Sequence, residues 1–226
     1  MTNTGELDPG APGRPYQSPL RRAQAESTRS AVLDAAAALF VRDGYLRTTM
    51  KAIAGEAGTS VETVYAQGSK AALLLACVDR ALAGDDDDVP MTDRAEFTAA
   101  LAQPSAAAAI EGFVRALAHV AERAGGLVVA FEDAAAADAP TAELWALAEQ
   151  HRKADLRRLV QAVADRGPLP AGWDADSATD AVWLVATPRA AHIALHTLGW
   201  DADRLVAAVT AQIRALLIPS EDRNPA

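Results

Sequence analysis

Residues 49–68 read TMKAIAGEAGTSVETVYAQG. Met50, Ile53, Ala54 and Ala57 recur at helical steps before Gly58, and a second short helical pattern, Val61 to Ala66, follows at once. Thr48 or Thr49 is placed to cap the first helix and Ser60 the second, because a hydroxyl there accepts a hydrogen bond from a free backbone N–H. Two short helices around a glycine turn make a helix-turn-helix, predicted over residues 49–68. A helix that enters the major groove needs a slim polar outer face and an apolar inner anchor. Ser60, Thr63 and Tyr65 offer hydroxyls, while Val64 is expected to point inward.

Upstream, Val32, Leu33, Ala36, Leu39 and Phe40 form an amphipathic stripe, expected to be capped by Ser27 or Thr28 and to close at Gly44. Downstream, Ser69 caps a fourth helix that runs to Ala83 or its neighbours. Residues 1–20 hold Pro9, Pro12, Pro15 and Pro19 with Gly5, Gly10 and Gly13, so a flexible tail is expected over residues 1–25. Gly84, Asp85–Asp88 and Val89-Pro90 predict a boundary, since carboxylates past a helix C-terminus oppose its dipole. The chain therefore divides into a tail, a head over 26–86 and a larger part over 87–226. In that larger part helical patterns fill 93–102, 105–123, 126–137, 141–166, 177–197 and 202–217, broken at Pro104, Gly125-Gly126, Pro140, Gly167-Pro168 and Gly199-Trp200. Pro188, inside 177–197, should kink or split its helix.

Composition agrees with an all-α fold. Of 226 residues 55 are alanine and only 5% are aromatic, which favours closely packed helices over sheets. The single cysteine, Cys77, sits in an apolar run and reads as a small buried hydrophobe. No run of 18 apolar residues is present, so a cytoplasmic protein that does not enter a membrane is expected. The net charge of −9 argues against nucleic acid only until its distribution is read. Residues 14–80 carry nine basic groups against six acids, and the excess of acid lies in 81–226 and the first residues. A locally basic head joined to an acidic body points to an anionic partner for the head alone.

From Thr28 to Leu75 the chain resembles the N-terminal domain of the TetR family of transcriptional regulators. The segments TRSAVLDAAAALFVRDGY, TTMKAIAGEAGTS and VETVYAQGSKAALL carry the likeness, with Gly44-Tyr45, Thr48-Thr49, Ala57-Gly58, Ser60, Tyr65 and Ser69-Lys70 at that family's spacing. The stretch from Trp183 to Pro219 is similar to the family's last two helices, which usually form a dimer interface. The resemblance implies a DNA-binding regulator, most simply a repressor released from a palindromic operator by a small molecule, with no enzymatic activity, cofactor or metal. Its implied partners are double-stranded operator DNA, an effector ligand and a second copy of the chain. Thr49 and Lys70 would hold phosphates, as would Tyr65, Arg29, Arg47 and Lys51. Val61, Glu62 and Thr63 would face base edges beside Ser60. Many members carry a basic residue at the position of Val61 and His-Phe at Gln67-Gly68.

In the larger part, Phe97, Phe113, Phe131, Trp145 and Trp183, with His119, Arg189 and His192 as polar candidates, are the residues expected to line a ligand pocket. His192 and His196 are one turn apart, and His119 and Glu122 nearly so, but no third metal ligand accompanies either pair. The stripe Leu205, Val209, Ile213, Leu216 and Leu217 is expected to face a partner subunit in a twofold dimer. The alternative reading is a ligand-binding helical protein whose head has lost DNA binding, suggested by Glu62 and the acidic total.

Overall fold

A computed structural model describes residues 19–83 and 91–219, and among these no strand occurs. The predicted tail up to residue 18 and the Gly84–Pro90 boundary lie outside the described residues. The head comprises α1 (Pro19–Asp43), α2 (Met50–Glu56), α3 (Val61–Gln67) and α4 (Lys70–Ala83). After a 3-10 turn at Met91–Asp93 come α5 (Ala95–Leu101), α6 (Ala106–Ala135), α7 (Ala139–Ala164), α8 (Ala175–Val185), α9 (Pro188–His192) and α10 (Ala202–Leu217). No described helix is long and apolar enough to cross a membrane.

Helix α1 starts well before the caps expected at Ser27 or Thr28. Pro19 sits in its first turn, where a missing N–H is harmless, and Thr28 uses its hydroxyl on the Gln24 carbonyl instead of capping. The anticipated break at Gly125-Gly126 is also absent, since α6 runs unbroken for 30 residues. Packing explains this. A Cβ on Gly126 would lie 3.0 Å from Val41 Cγ1, so the missing side chain lets the end of α1 rest on the α6 backbone. Gly125 faces His192 in the same turn. A glycine costs a helix roughly 1 kcal/mol relative to alanine, which tertiary contact at both positions offsets.

Pro188 splits the predicted 177–197 helix. Thr187 caps the new segment α9, which ends in a π-turn over Ile193–Thr197. The other caps follow their sequence logic: Asp138 accepts from the Thr141 N–H, Asp174 and Ser177 form a reciprocal capping box, and Asp201 accepts from Arg204.

Two apolar clusters organise the molecule. One fills the body between α5, α6, α7, α8 and α10, with Phe97, Ile110, Leu159, Val182 and Ile213 fully buried. The other joins Val32, Phe40, Ile53, Val64 and Leu73 of the head to Leu127, Ala130, Phe131 and Ala134 of α6, with Trp145 of α7 against it. Head and body thus share a core across the boundary drawn by composition. Cys77 lies inside it, its thiol donating to the Leu33 carbonyl and pushed up to about 11 by burial, which makes it the inert hydrophobe expected.

Candidate nucleic-acid interface

The helix-turn-helix is assembled by side-chain caps. Thr49 Oγ1 accepts from the Ala52 N–H at 3.1 Å and starts α2, while Thr48, 2% exposed, donates to the Gly44 and Leu39 carbonyls. Ser60 Oγ accepts from the Thr63 N–H at 3.1 Å and lies 3.1 Å from the Thr63 hydroxyl. Of α3 only Val64 is buried, and Val61 packs partly against the head core. Ser60, Glu62 and Tyr65 are exposed, Tyr65 by 61%. This is a slim helix with one fully buried residue, and Glu62 and Tyr65 stand open on its outer side. The Glu62 carboxyl is held below the usual carboxylate value, first by its own backbone N–H and then by the Ser60 hydroxyl. It stays anionic, can accept from a base amino group, and repels phosphates.

Gly68 ends α3 with φ +138, and a Cβ there would come within 3.1 Å of Ala72 Cβ. Any larger residue would open the turn into α4. Gly68 thus suits the close α3–α4 turn, and Gln67 uses its Oε1 to accept from Arg29 at 3.4 Å.

The candidate cations have different standings. Lys51 is exposed at the start of α2. Arg47, also exposed, donates through Nε to the Asp43 carbonyl at 2.7 Å and closes the end of α1. Lys70 is committed inside the head: Nζ donates to the carbonyls of Tyr45 at 2.9 Å and Thr48 at 3.1 Å and sits 4.1 Å from the centre of the Tyr45 ring. Burial lowers its pKa. Its first role is to tie α4 to the α1–α2 loop that orients Thr49, where the sequence suggested a phosphate ligand. The Gly44-Tyr45 pair was visible in the sequence, but nothing in a spacing of 25 residues shows an ammonium returning to a carbonyl. Tyr45 also lies near Asp138 and Thr141 at the start of α7, and burial is the main cause of its raised pKa. Sequence reasoning missed that link between head and body.

The eight residues expected to line a pocket are not brought together. Phe97 and Phe113 are fully buried and meet edge to face at 5.1 Å, filling the body core. Phe131 and Trp145 meet likewise at 5.4 Å in the core shared with the head. His119 is half exposed, its Nδ1 3.7 Å from Glu96. Arg189 clamps the end of α6 through Glu132 at 2.8 Å and Asp133 at 2.6 Å. His192 has a buried Nδ1 with no protein partner and a pKa lowered by burial, then by His196 and Arg189. Trp183 lines a groove of about 460 Å³ between α7 and α8, with Glu149, Lys153, Asp180 and Leu184 among its walls. The Arg152 guanidinium lies 4.9 Å from the Trp183 ring centre. Alanine-rich helices close on their few aromatics, which is why those residues became core. Among the described residues no three His, Cys, Asp or Glu side chains gather as metal ligands.

The expected dimer stripe needs correction. Leu205, Ile213 and Leu217 are 5%, 0% and 0% exposed, covered by the chain's own α6 and α8. Only Val209 and Leu216 remain partly open. The periodicity of α10 thus reports its seat on the body. Its outer face carries Ala207, Ala211 and Ala215, and exposed Leu184 projects from α8.

Residues 32–77 match the model of the bacterial regulatory proteins of the tetR family. Among solved structures the chain resembles SmeT in complex with triclosan, at 20% identity over 88% of this chain and 99% of that one, with a TM-score of 0.63. SmeT is the repressor of the Stenotrophomonas maltophilia multidrug efflux pump SmeDEF. MexZ, a repressor of Pseudomonas aeruginosa, is 22% identical over 87% of this chain and 98% of its own, with a TM-score of 0.55. A gamma-butyrolactone receptor is 19% identical over 88% and 92%, at 0.56. No curated protein sequence matches the chain. Residues 32–77 thus carry the match to the tetR-family model, and the described chain shares the all-helical fold of these solved structures.

Proposed function

We propose that the chain is a DNA-binding transcriptional repressor that acts as a twofold dimer and leaves its operator when a small molecule binds the body. The observation that carries this reading is α3. It buries a single side chain, is capped by Ser60, and presents Tyr65 61% exposed. Such a helix has little structural work on its outer face and fits a major groove. Thr49, Lys51 and Arg47 at the start of α2 supply hydroxyl and charge for phosphates on one side, and Tyr65 on the other. The repressors SmeT and MexZ share the fold, and SmeT has been solved with a bound small molecule. In this reading the α7–α8 groove takes the effector and the outer faces of α8 and α10 meet a second subunit. A Tyr65→Ala variant with unchanged thermal stability should lose operator affinity in a mobility-shift titration, and equal affinity would remove Tyr65 from the interface. The exposed carboxylate of Glu62 favours the second reading, a head that no longer binds DNA. That reading predicts no retarded complex with any duplex.

A further inference from the structure

Helix α1 continues outward past the head it belongs to. Its first buried residue is Val32, and residues 22–27 are all exposed. The family match begins only at residue 32, so these turns lie outside it. At its other end Val41 rests on Gly126 of α6. The helix therefore runs from its contact with α6 back through the head core, and residues 22–31 precede the first side chain that the core buries.

The face they present follows from helical spacing. Leu33, Ala36 and Phe40, at 6%, 0% and 1% exposure, pack in the head core with Ile53 of α2 and Val64 of α3. Steps of three and four carry the same stripe backward through Arg29 and Glu26 to Arg22. Arg29 confirms the direction, because its guanidinium reaches Gln67, the last residue of α3. Arg22 lies on the same face two turns farther out, about 10 Å along the axis at 1.5 Å per residue. Arg22 thus extends the cationic side of α1 outward from the residue that touches the end of α3, and a helix inserted in a major groove about 12 Å wide is flanked by backbone phosphates.

We propose that the first turns of α1 make a second DNA contact, in which Arg22 takes a backbone phosphate of the strand that walls the groove entered by α3. The proposal rests on the DNA-binding reading above. Its occupant is set by charge: residues 19–29 hold Arg21, Arg22 and Arg29 against Glu26 alone, in a chain whose total is −9. Residues 22–31 bury no side chain and gain little from packing, and short helices in water are marginal, so a polyanion against this stripe supplies what the fold does not. Glu26 is the opposing charge on that stripe and must lower the affinity. Arg22 carries no sequence information and acts on any duplex alike.

The test uses the full chain and fluorescence anisotropy at a series of salt concentrations. Two duplexes serve as probes: one recovered by selection from a random pool, and an unrelated duplex of equal length. One phosphate contact contributes about 0.9 to the slope of log affinity against log salt. Arg22→Gln should therefore reduce that slope by about 0.9 per protomer on both duplexes, and weaken binding about eightfold per protomer at 0.1 M salt. Glu26→Gln should strengthen binding to both. Arg157→Gln, an exposed charge of equal sign on the body, controls for net charge and should leave the slope unchanged. If the unaltered chain binds and Arg22→Gln matches it in slope and affinity, the proposal fails while the DNA-binding reading stands. If the unaltered chain binds neither duplex, both fail.

Discussion

Replacing Lys70 by methionine keeps the aliphatic stem and removes the ammonium that joins α4 to the α1–α2 loop. Two hydrogen bonds are lost, to the carbonyls of Tyr45 at 2.9 Å and Thr48 at 3.1 Å, together with the cation over the Tyr45 ring at 4.1 Å. A hydrogen bond from a charged donor contributes about 1.5–3 kcal/mol net when buried, and partial solvent access reduces that to about 1 kcal/mol for each of these. The cation–π contact adds about 0.5 kcal/mol at such a site. The variant should therefore be about 2–3 kcal/mol less stable, which for a chain of this length lowers Tm by roughly 5–10 °C. Circular dichroism at 222 nm without DNA reads this directly. A lysine held in reserve for phosphate would change stability by less than about 0.5 kcal/mol, or roughly 2 °C. A Tm within that limit, with operator affinity lost, would refute the brace and return Lys70 to the DNA.

Two further outcomes test the packing. Asp155 sits against the Thr92 hydroxyl at 2.8 Å with a pKa raised by burial above 3.8, so the folded state holds its proton more tightly than the unfolded chain. Its contribution to stability is full below 3.8 and is lost as pH rises through the raised value, so the Tm gain of Asp155→Asn should be larger at pH 7 than at pH 4; equal differences would show that burial is not felt there. Gly126→Ala should bring little or no gain in the natural background, where its Cβ meets Val41 at 3.0 Å, but should stabilise a Val41→Ala chain by about 1 kcal/mol through helix propensity. Equal effects in both backgrounds, measured by urea unfolding, would show that the close approach of α1 to α6 does not constrain the fold.

Much of the head was legible because its elements are local. The Val32–Phe40 stripe, the Ser60 cap and the inward Val64 each follow from residues within a few positions of one another. Pro188 was equally legible, since a missing N–H splits a helix in any context. What the sequence hid depends on contacts between distant segments. Gly125-Gly126 reads as a break until Val41 and His192 are seen to occupy the space left by the missing side chains. The α10 stripe has the same period whether it faces its own body or a partner, and here Ile213 and Leu217 face inward. Aromatics scattered through alanine-rich helices read as a pocket lining, yet Phe97 and Phe113 lie on each other. The start of α1 was missed because exposed turns carry no apolar period at all.

Selection of bound duplexes from a random pool, followed by sequencing, tests the regulator reading most directly. A dimer presenting two α3 helices predicts a recovered site with twofold symmetry and half-sites about 34–36 Å apart, one helical turn or a multiple of it. Recovery of no duplex above the unselected pool would contradict it.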